Sequence, residues 1–129
     1  MSKLIDIKTN TGNTIKVADI KSSHIQNIIK EAQKCTSIDA IILFGSSLEE
    51  RCTEKSDIDI VIISKYTVNR LCDIKSYNKF MDSVYDFDLT QSYDKLYFHS
   101  IDEIYDDNND ELIFRELREK GKIIYQKEN

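Results

Sequence analysis

The sequence predicts an α+β fold: a β-sheet with helices packed against it in a two-layer α/β arrangement, preceded by an N-terminal β-hairpin. Three observations predict it. Two short, continuous apolar runs, Ile41–Phe44 and Ile58–Ile63, read as buried strands. Two stretches, at 25–35 and 69–84, carry apolar residues at three- and four-residue steps, the period of an amphipathic helix. Finally, Leu4–Lys8 and Thr14–Ala18 alternate apolar and polar residues around Thr11-Gly12-Asn13, which makes a hairpin turning at the glycine.

The chain has 129 residues, 40% hydrophobic and 32% charged, with no tryptophan or proline. That is the length of one domain, 1–129, with a core of ordinary size. A formal charge of −5 with the signs evenly mixed leaves no basic footprint, so non-specific binding to a nucleic-acid backbone is not expected. Cys35, Cys52 and Cys72 have neither metal-ligand nor redox spacing and read as free thiols of a reducing compartment. No apolar stretch approaches a membrane span, so the expected location is cytoplasmic, with no membrane partner.

In chain order, the hairpin is expected at an edge. Ser22 and Ser23 offer N-caps to a helix with Ile25, Ile28, Ile29, Ala32 and Cys35 on one face. Ile38–Phe44 follows as a buried, central strand ended by Gly45, and a short helix is expected from Ser47 to about Arg51. Asp57–Ser64 forms the next strand, on which Asp57 and Asp59 share one face while Ile58 and Ile60 enter the core. The period at Leu71, Ile74, Tyr77, Phe80 or Met81 and Val84 predicts a helix between Asn69 and Ser83. Tyr85–Thr90 alternates and predicts a strand carrying Asp86 and Asp88 on one face, while 91–109 reads as short helices and loop. A last helix runs from a cap at Asp110 to Lys120, with Gly121 as its C′ residue, and Ile123–Tyr125 makes a final strand.

These pieces suit transfer of a nucleotidyl or phosphoryl group. That chemistry asks for carboxylates to hold divalent cations, backbone N–H groups and a hydroxyl for the phosphates, and one carboxylate near the acceptor. Asp57 and Asp59 supply the first, Gly45 and Ser46 at a helix start the second. Asp88 is the candidate for the third, with Asp86 as its alternative. Arg51 and Lys55 could reach the phosphates, and Tyr93, Tyr97 and Phe98 could stack on a base. Singly each piece is ordinary, since Gly-Ser after a strand is usually only a turn; the order of the pieces gives them weight.

Gly45-Ser46, ten residues, then Asp57-Ile58-Asp59 resembles the pattern of the nucleotidyltransferase superfamily typified by DNA polymerase beta, and within it the minimal nucleotidyltransferases. The resemblance covers a core of about residues 20–125 and leaves out the hairpin, residues 1–18. It implies a mixed sheet with helices against it and ATP or another nucleoside triphosphate as donor. It also implies two Mg²⁺ ions on Asp57, Asp59 and Asp88, and Gly45, Ser46 and Ser47 on the triphosphate. Many relatives place two arginines and a glycine directly after Gly-Ser, where this chain has Ser47, Glu49 and Glu50, with Arg51 displaced.

Most such enzymes carry a further domain for the acceptor. A chain this short is expected to take its acceptor from a partner chain or by self-association. Short members resemble the antitoxin half of toxin–antitoxin pairs whose partner is a helical HEPN-type RNase, modified with AMP. The expected function is therefore Mg²⁺-dependent transfer of a nucleoside monophosphate, AMP from ATP, to a hydroxyl of a partner protein. Two alternatives stand beside it: a non-catalytic nucleotide- or partner-binding module of the same fold, and a small-molecule transferase of antibiotic type acting as a dimer.

Overall fold

The computed structural model describes residues 2–128. The hairpin forms as β1 (Leu4–Lys8) and β2 (Thr14–Ala18), in register from Leu4 opposite Ala18 to Lys8 opposite Thr14. Gly12 turns it at φ +88°, a conformation that glycine adopts without strain. It is a separate two-stranded sheet, not an edge of the main one. Ile7 and Val17 anchor it in the core, and Ser2 ties its start to the loop after Gly45 by donating from N to Glu50 O at 2.8 Å and from Oγ to Cys52 O at 2.8 Å.

A 3₁₀ turn, Asp19–Lys21, leads into α1 (Ser22–Ala32), which buries Ile25, Ile28, Ile29 and Ala32 as its period requires. The expected serine caps are absent. Lys21 holds the cap position, and Ser22 Oγ instead donates back to Asp19 O at 2.9 Å, because the preceding turn supplies a carbonyl within reach.

The main sheet is mixed. It contains β3 (Ala40–Phe44), β4 (Ile58–Ile63), β5 (Tyr93–Phe98) and β6 (Lys122–Gln126) in the order β5-β4-β3-β6. β3 runs antiparallel to both β4 and β6, and β5 runs parallel to β4. The continuous apolar run of β3 follows from this central place: Ile41 and Leu43 enter one core cluster, Ala40 and Ile42 the other. The larger cluster joins the sheet to α1 and α3 (Lys75–Phe87), and the smaller adds Ile104, Phe114 and Leu117 from α4 (Ile101–Ile104) and α5 (Leu112–Lys120). That second cover adds a partial third layer to the two that the sequence predicts.

Two elements depart from the sequence reading. The helix expected at 69–83 is split into α2 (Val68–Leu71), capped by Thr67 Oγ1 accepting from Arg70 N, and α3, which runs on to Phe87. The strand expected at Tyr85–Thr90 is therefore the last turn of α3 and its exit. The alternation there has no buried face to support it, since Phe87 and Leu89 are exposed at 46% and 84%, whereas the helical stripe through Tyr77, Phe80 and Val84 is buried. The strand that does follow is β5, within a segment expected to be helix and loop. Tyr93, Tyr97 and Phe98 are engaged in packing there rather than free to stack on a base: Tyr93 against Tyr85, the Tyr97 hydroxyl 2.7 Å from that of Tyr77, and Phe98 against Phe114.

At the far end, Glu111 rather than Asp110 precedes the first residue of α5, and Leu112 points out, 81% exposed. Gly121 is not left-handed; its φ is −67°. Its lack of a side chain matters for packing: a Cβ would lie 2.6 Å from Leu117 O and 3.0 Å from Ile42 Cγ2. Among the described residues no helix is long and apolar enough to cross a membrane.

Candidate active site

Strand register assembles the site. Phe44 of β3 lies opposite Asp59 of β4, and Asp59 lies beside Asp94 of β5, so the ends of three neighbouring strands present their side chains in one row. Because Ile58, Ile60 and Ile62 enter the larger core cluster, Asp59 emerges on the opposite face, next to α5. Gly45 follows Phe44 at φ +76°, and the chain turns there into a single 3₁₀ turn, Gly45–Leu48. A Cβ on Gly45 would overlap Asp59 Oδ2. Glycine is thus required twice, by its backbone angle and by the carboxylate against it.

Together these groups line a cleft of about 360 Å³ with Gly45, Ser46, Arg51, Asp57, Asp59 and Asp94 on its walls. Glu116 of α5 closes one side. Asp59 is pushed up to about 6, first by burial and then by its hydrogen bond with Asp94 and the repulsion of Asp94, Asp57 and Glu116.

Asp57 is fixed from behind. Ser92 Oγ donates to Asp57 Oδ1, and Ile58 N donates to Ser92 O at 3.1 Å. Ser92 and Ser56 are held in turn by the buried Gln91, whose Nε2 donates to Ser56 O at 3.0 Å and to Ser92 O at 2.7 Å. Gln91 Oε1 accepts from Lys21 Nζ, which also donates to Glu54 O at 3.0 Å. Lys21 is only 1% exposed, and burial lowers its pKa against the opposing pull of Cys52, Asp88, Asp57 and Glu54. A buried ammonium therefore clamps the loop on both sides of Asp57. Gln91→Glu keeps the contact with Lys21 but removes both donors, so that Ser56 O loses its partner and Ser92 O keeps only Ile58 N. Loss of such bonds costs about 1–3 kcal/mol, so the midpoint of a thermal melt followed by circular dichroism is expected to fall by several degrees while the folded spectrum stays unchanged.

Several sequence-predicted residues lie elsewhere. Asp88 does not line the cleft that holds Asp57 and Asp59. It follows α3, 2.8 Å from His24 Nε2, and accepts from Thr90 N at 3.0 Å and Thr90 Oγ1 at 2.6 Å. These bonds, with His24 first, hold its carboxyl down at about 2. The alternative, Asp86, is an exposed residue of α3. The third acid of the cleft is Asp94, and the missed fourth is Glu116. The signal for Asp94 was present in Tyr93-Asp94-Lys95-Leu96-Tyr97-Phe98, an aromatic-rich run carrying a single acid.

Ser47 is fully buried, with no hydrogen-bond partner for its hydroxyl, and does not line the cleft. Lys55 is exposed and does not line it either. Arg51 does, but its guanidinium is paired with Glu49. The helix expected at Ser47–Arg51 is replaced by the one-turn 3₁₀ segment, so a phosphate would meet Gly45 and Ser46 without an extended helix dipole behind them.

The family described as polymerase beta, nucleotidyltransferase matches residues 26–129, which include every residue of this cleft. The chain belongs to that family. No curated protein is similar enough to be counted as a relative. Nucleotidyl transfer is the chemistry of the polymerase beta type, which generally uses a nucleoside triphosphate and a divalent metal. Among the described residues, no group of three or more His, Cys, Asp or Glu is arranged to hold an ion as it stands. The donor set nevertheless fits a hard divalent cation. Asp59 and Asp94 side by side, with Asp57 in the same cleft, offer carboxylate oxygens, the ligands that such a cation takes.

Proposed function

We propose that this protein is a Mg²⁺-dependent nucleotidyltransferase that moves a nucleoside monophosphate, AMP from ATP, to a hydroxyl of a partner protein. The observation that carries the reading is the gathering of Asp57, Asp59 and Asp94 around the Gly45–Ser46 turn in one cleft. In the reaction the acceptor oxygen attacks the α-phosphorus, pyrophosphate leaves, and the hydroxyl proton passes to a carboxylate of the cleft. Asp57, Asp59 and Asp94 would hold Mg²⁺, which when bound supplies charge neutralisation along the phosphates. Ser46 and the turn backbone orient the donor, and the Ser92–Gln91–Lys21 chain keeps Asp57 in place. Asp57 and Arg51 are exposed at the cleft, which suits an acceptor as large as a protein.

The resemblance to antitoxins of HEPN-type pairs supports a small helical RNase as that partner, in a cytoplasmic setting. The test is transfer of label from α-labelled ATP, with Mg²⁺, to the protein encoded beside this one. Labelled partner is expected with the wild type and none with the Asp57→Ala/Asp59→Ala double variant; equal rates for the two overturn the proposal.

One observation favours a second reading, a contact module without catalysis. Glu49 engages Arg51, the guanidinium of a cleft whose other charged residues are four acids. Calorimetry with ATP and Mg²⁺ separates the readings, because a pure contact module shows no nucleotide binding.

A further inference from the structure

Beside the carboxylate cleft lies a larger one, of about 610 Å³, between the hairpin, the Gly45–Leu48 turn and the end of α5. The two share Gly45 and Glu116 and therefore adjoin. Three lysines, Lys16, Lys120 and Lys122, line the larger cleft. We propose that it receives the polyphosphate tail of the nucleoside triphosphate, with these three lysines in the charge-neutralising role. The inference rests on the nucleotidyltransferase reading above and adds where the donor's tail is held.

Charge decides the direction in which a triphosphate can lie. The carboxylate cleft presents Asp57, Asp59, Asp94 and Glu116 against the single guanidinium of Arg51, which pairs with Glu49. With Mg²⁺ on those acids the phosphates nearest the reacting phosphorus would be neutralised there, and the part of the tail that passes Gly45 toward α5 meets three ammonium groups against the two carboxylates, Glu49 and Glu116, that also line the larger cleft. Among the described residues neither Lys120 nor Lys122 has an ion-pair partner, while Lys120 lies near enough to Glu49 to help lower that carboxyl's pKa. Lys16 bonds Asp6 at 2.9 Å, a pair with both side chains well exposed and therefore weak enough to exchange for a phosphate.

The fold places these lysines at the site. Lys122 opens β6 opposite Leu43, two residues before Gly45, and Lys120 closes α5. Between them Gly121 packs so tightly on Leu117 O and Ile42 that the Lys120-Gly121-Lys122 corner is fixed against the end of β3. Lys16 comes from β2, outside the family match at residues 26–129. The hairpin thus contributes to the donor site something that lies outside the family match, and the lysines offset Glu49 and Glu116 of the same cleft.

The test is calorimetry of the full chain with the Mg²⁺ complex of α,β-methylene-ATP, which is not cleaved at the α-phosphorus. Two exposed charge contacts are together worth about tenfold in affinity, so Lys120→Gln/Lys122→Gln is expected to weaken binding by about that factor and Lys16→Gln by about threefold. Thermal melts should stay unchanged, since all three side chains are exposed. If the double variant binds like the wild type while Ser46→Ala weakens binding, the tail lies elsewhere and this proposal alone falls. If the double variant binds the analogue normally but no longer labels the partner, the lysines serve the acceptor and the proposal is again overturned. If the wild type binds no analogue even with Mg²⁺, the function reading itself fails.

Discussion

Replacing Asp94 by asparagine is expected to cut nucleotidyl transfer by about 10²- to 10³-fold, the usual loss when a group that stabilises transition-state charge is removed, while Asp88→Asn leaves the rate within about threefold. Both acids follow the Asp57-x-Asp59 pair in sequence, and only one stands beside it. Asp94 neighbours Asp59 across the parallel β4–β5 ladder and lines the same cleft, whereas Asp88 is engaged by His24 and Thr90.

A stability measurement separates function from structure. With no cation bound, the folded pKa of Asp59 is raised to about 6 from an ordinary value near 3.8. The folded state therefore binds more protons than the unfolded one across that interval, and this group costs stability as the pH rises from about 4 through 6. Asp94→Asn removes a like charge and one cause of the shift. At pH 7 the cation-free variant should be more stable than the wild type by roughly 1 kcal/mol after allowance for solvent screening. A thermal melt without metal reads this directly. An Asp94→Asn protein that is both less stable and fully active would overturn the assignment.

Gly45→Ala is expected to be damaging out of proportion to its size. A residue with a Cβ at φ +76° costs about 1–2 kcal/mol in backbone strain, and the added carbon would meet Asp59 Oδ2. Either the turn or the carboxylate must move, and displacement of a reacting group by about 1 Å costs on the order of 10²-fold in rate. Gly12→Ala is the matched control. Gly12 has a similar angle, φ +88°, but its Cβ would meet nothing within 4 Å. It should lose a comparable strain energy by thermal melting and keep its full transfer rate. Equal rates for the two alanine variants would show that the contact with Asp59 has no consequence.

The central part of this molecule was legible because its signals are local. β3 and β4 are continuous apolar runs, Gly45-Ser46 and Asp57-x-Asp59 stand at a fixed spacing, and period two sends the acids to one face and the isoleucines to the other. The helices α1 and α5, the hairpin and the mixed sheet of the family were likewise legible. The stretch 85–98 was misread for a definite reason. Tyr85, Phe87 and Leu89 alternate like a strand, but a strand needs a neighbour and a buried face, and α3 instead continues the stripe of Tyr77, Phe80 and Val84 by one more turn. β5 was missed because an edge strand mixes polar and apolar residues on both faces, and its place beside β4 depends on a crossover through α2 and α3.

By itself the sequence determined which acids could form the first pair and that a glycine and a serine would stand beside them. Only the tertiary structure decided which acid completes the set, that Gly45 answers to the Asp59 carboxylate, that Lys21 and Gln91 hold Asp57 from behind, and that the hairpin brings Lys16 to the adjoining cleft. The first group depends on contacts a few residues apart, which spacing encodes. The second depends on strand order and parallel register, set by the burial of whole elements against one another, and no short motif records it.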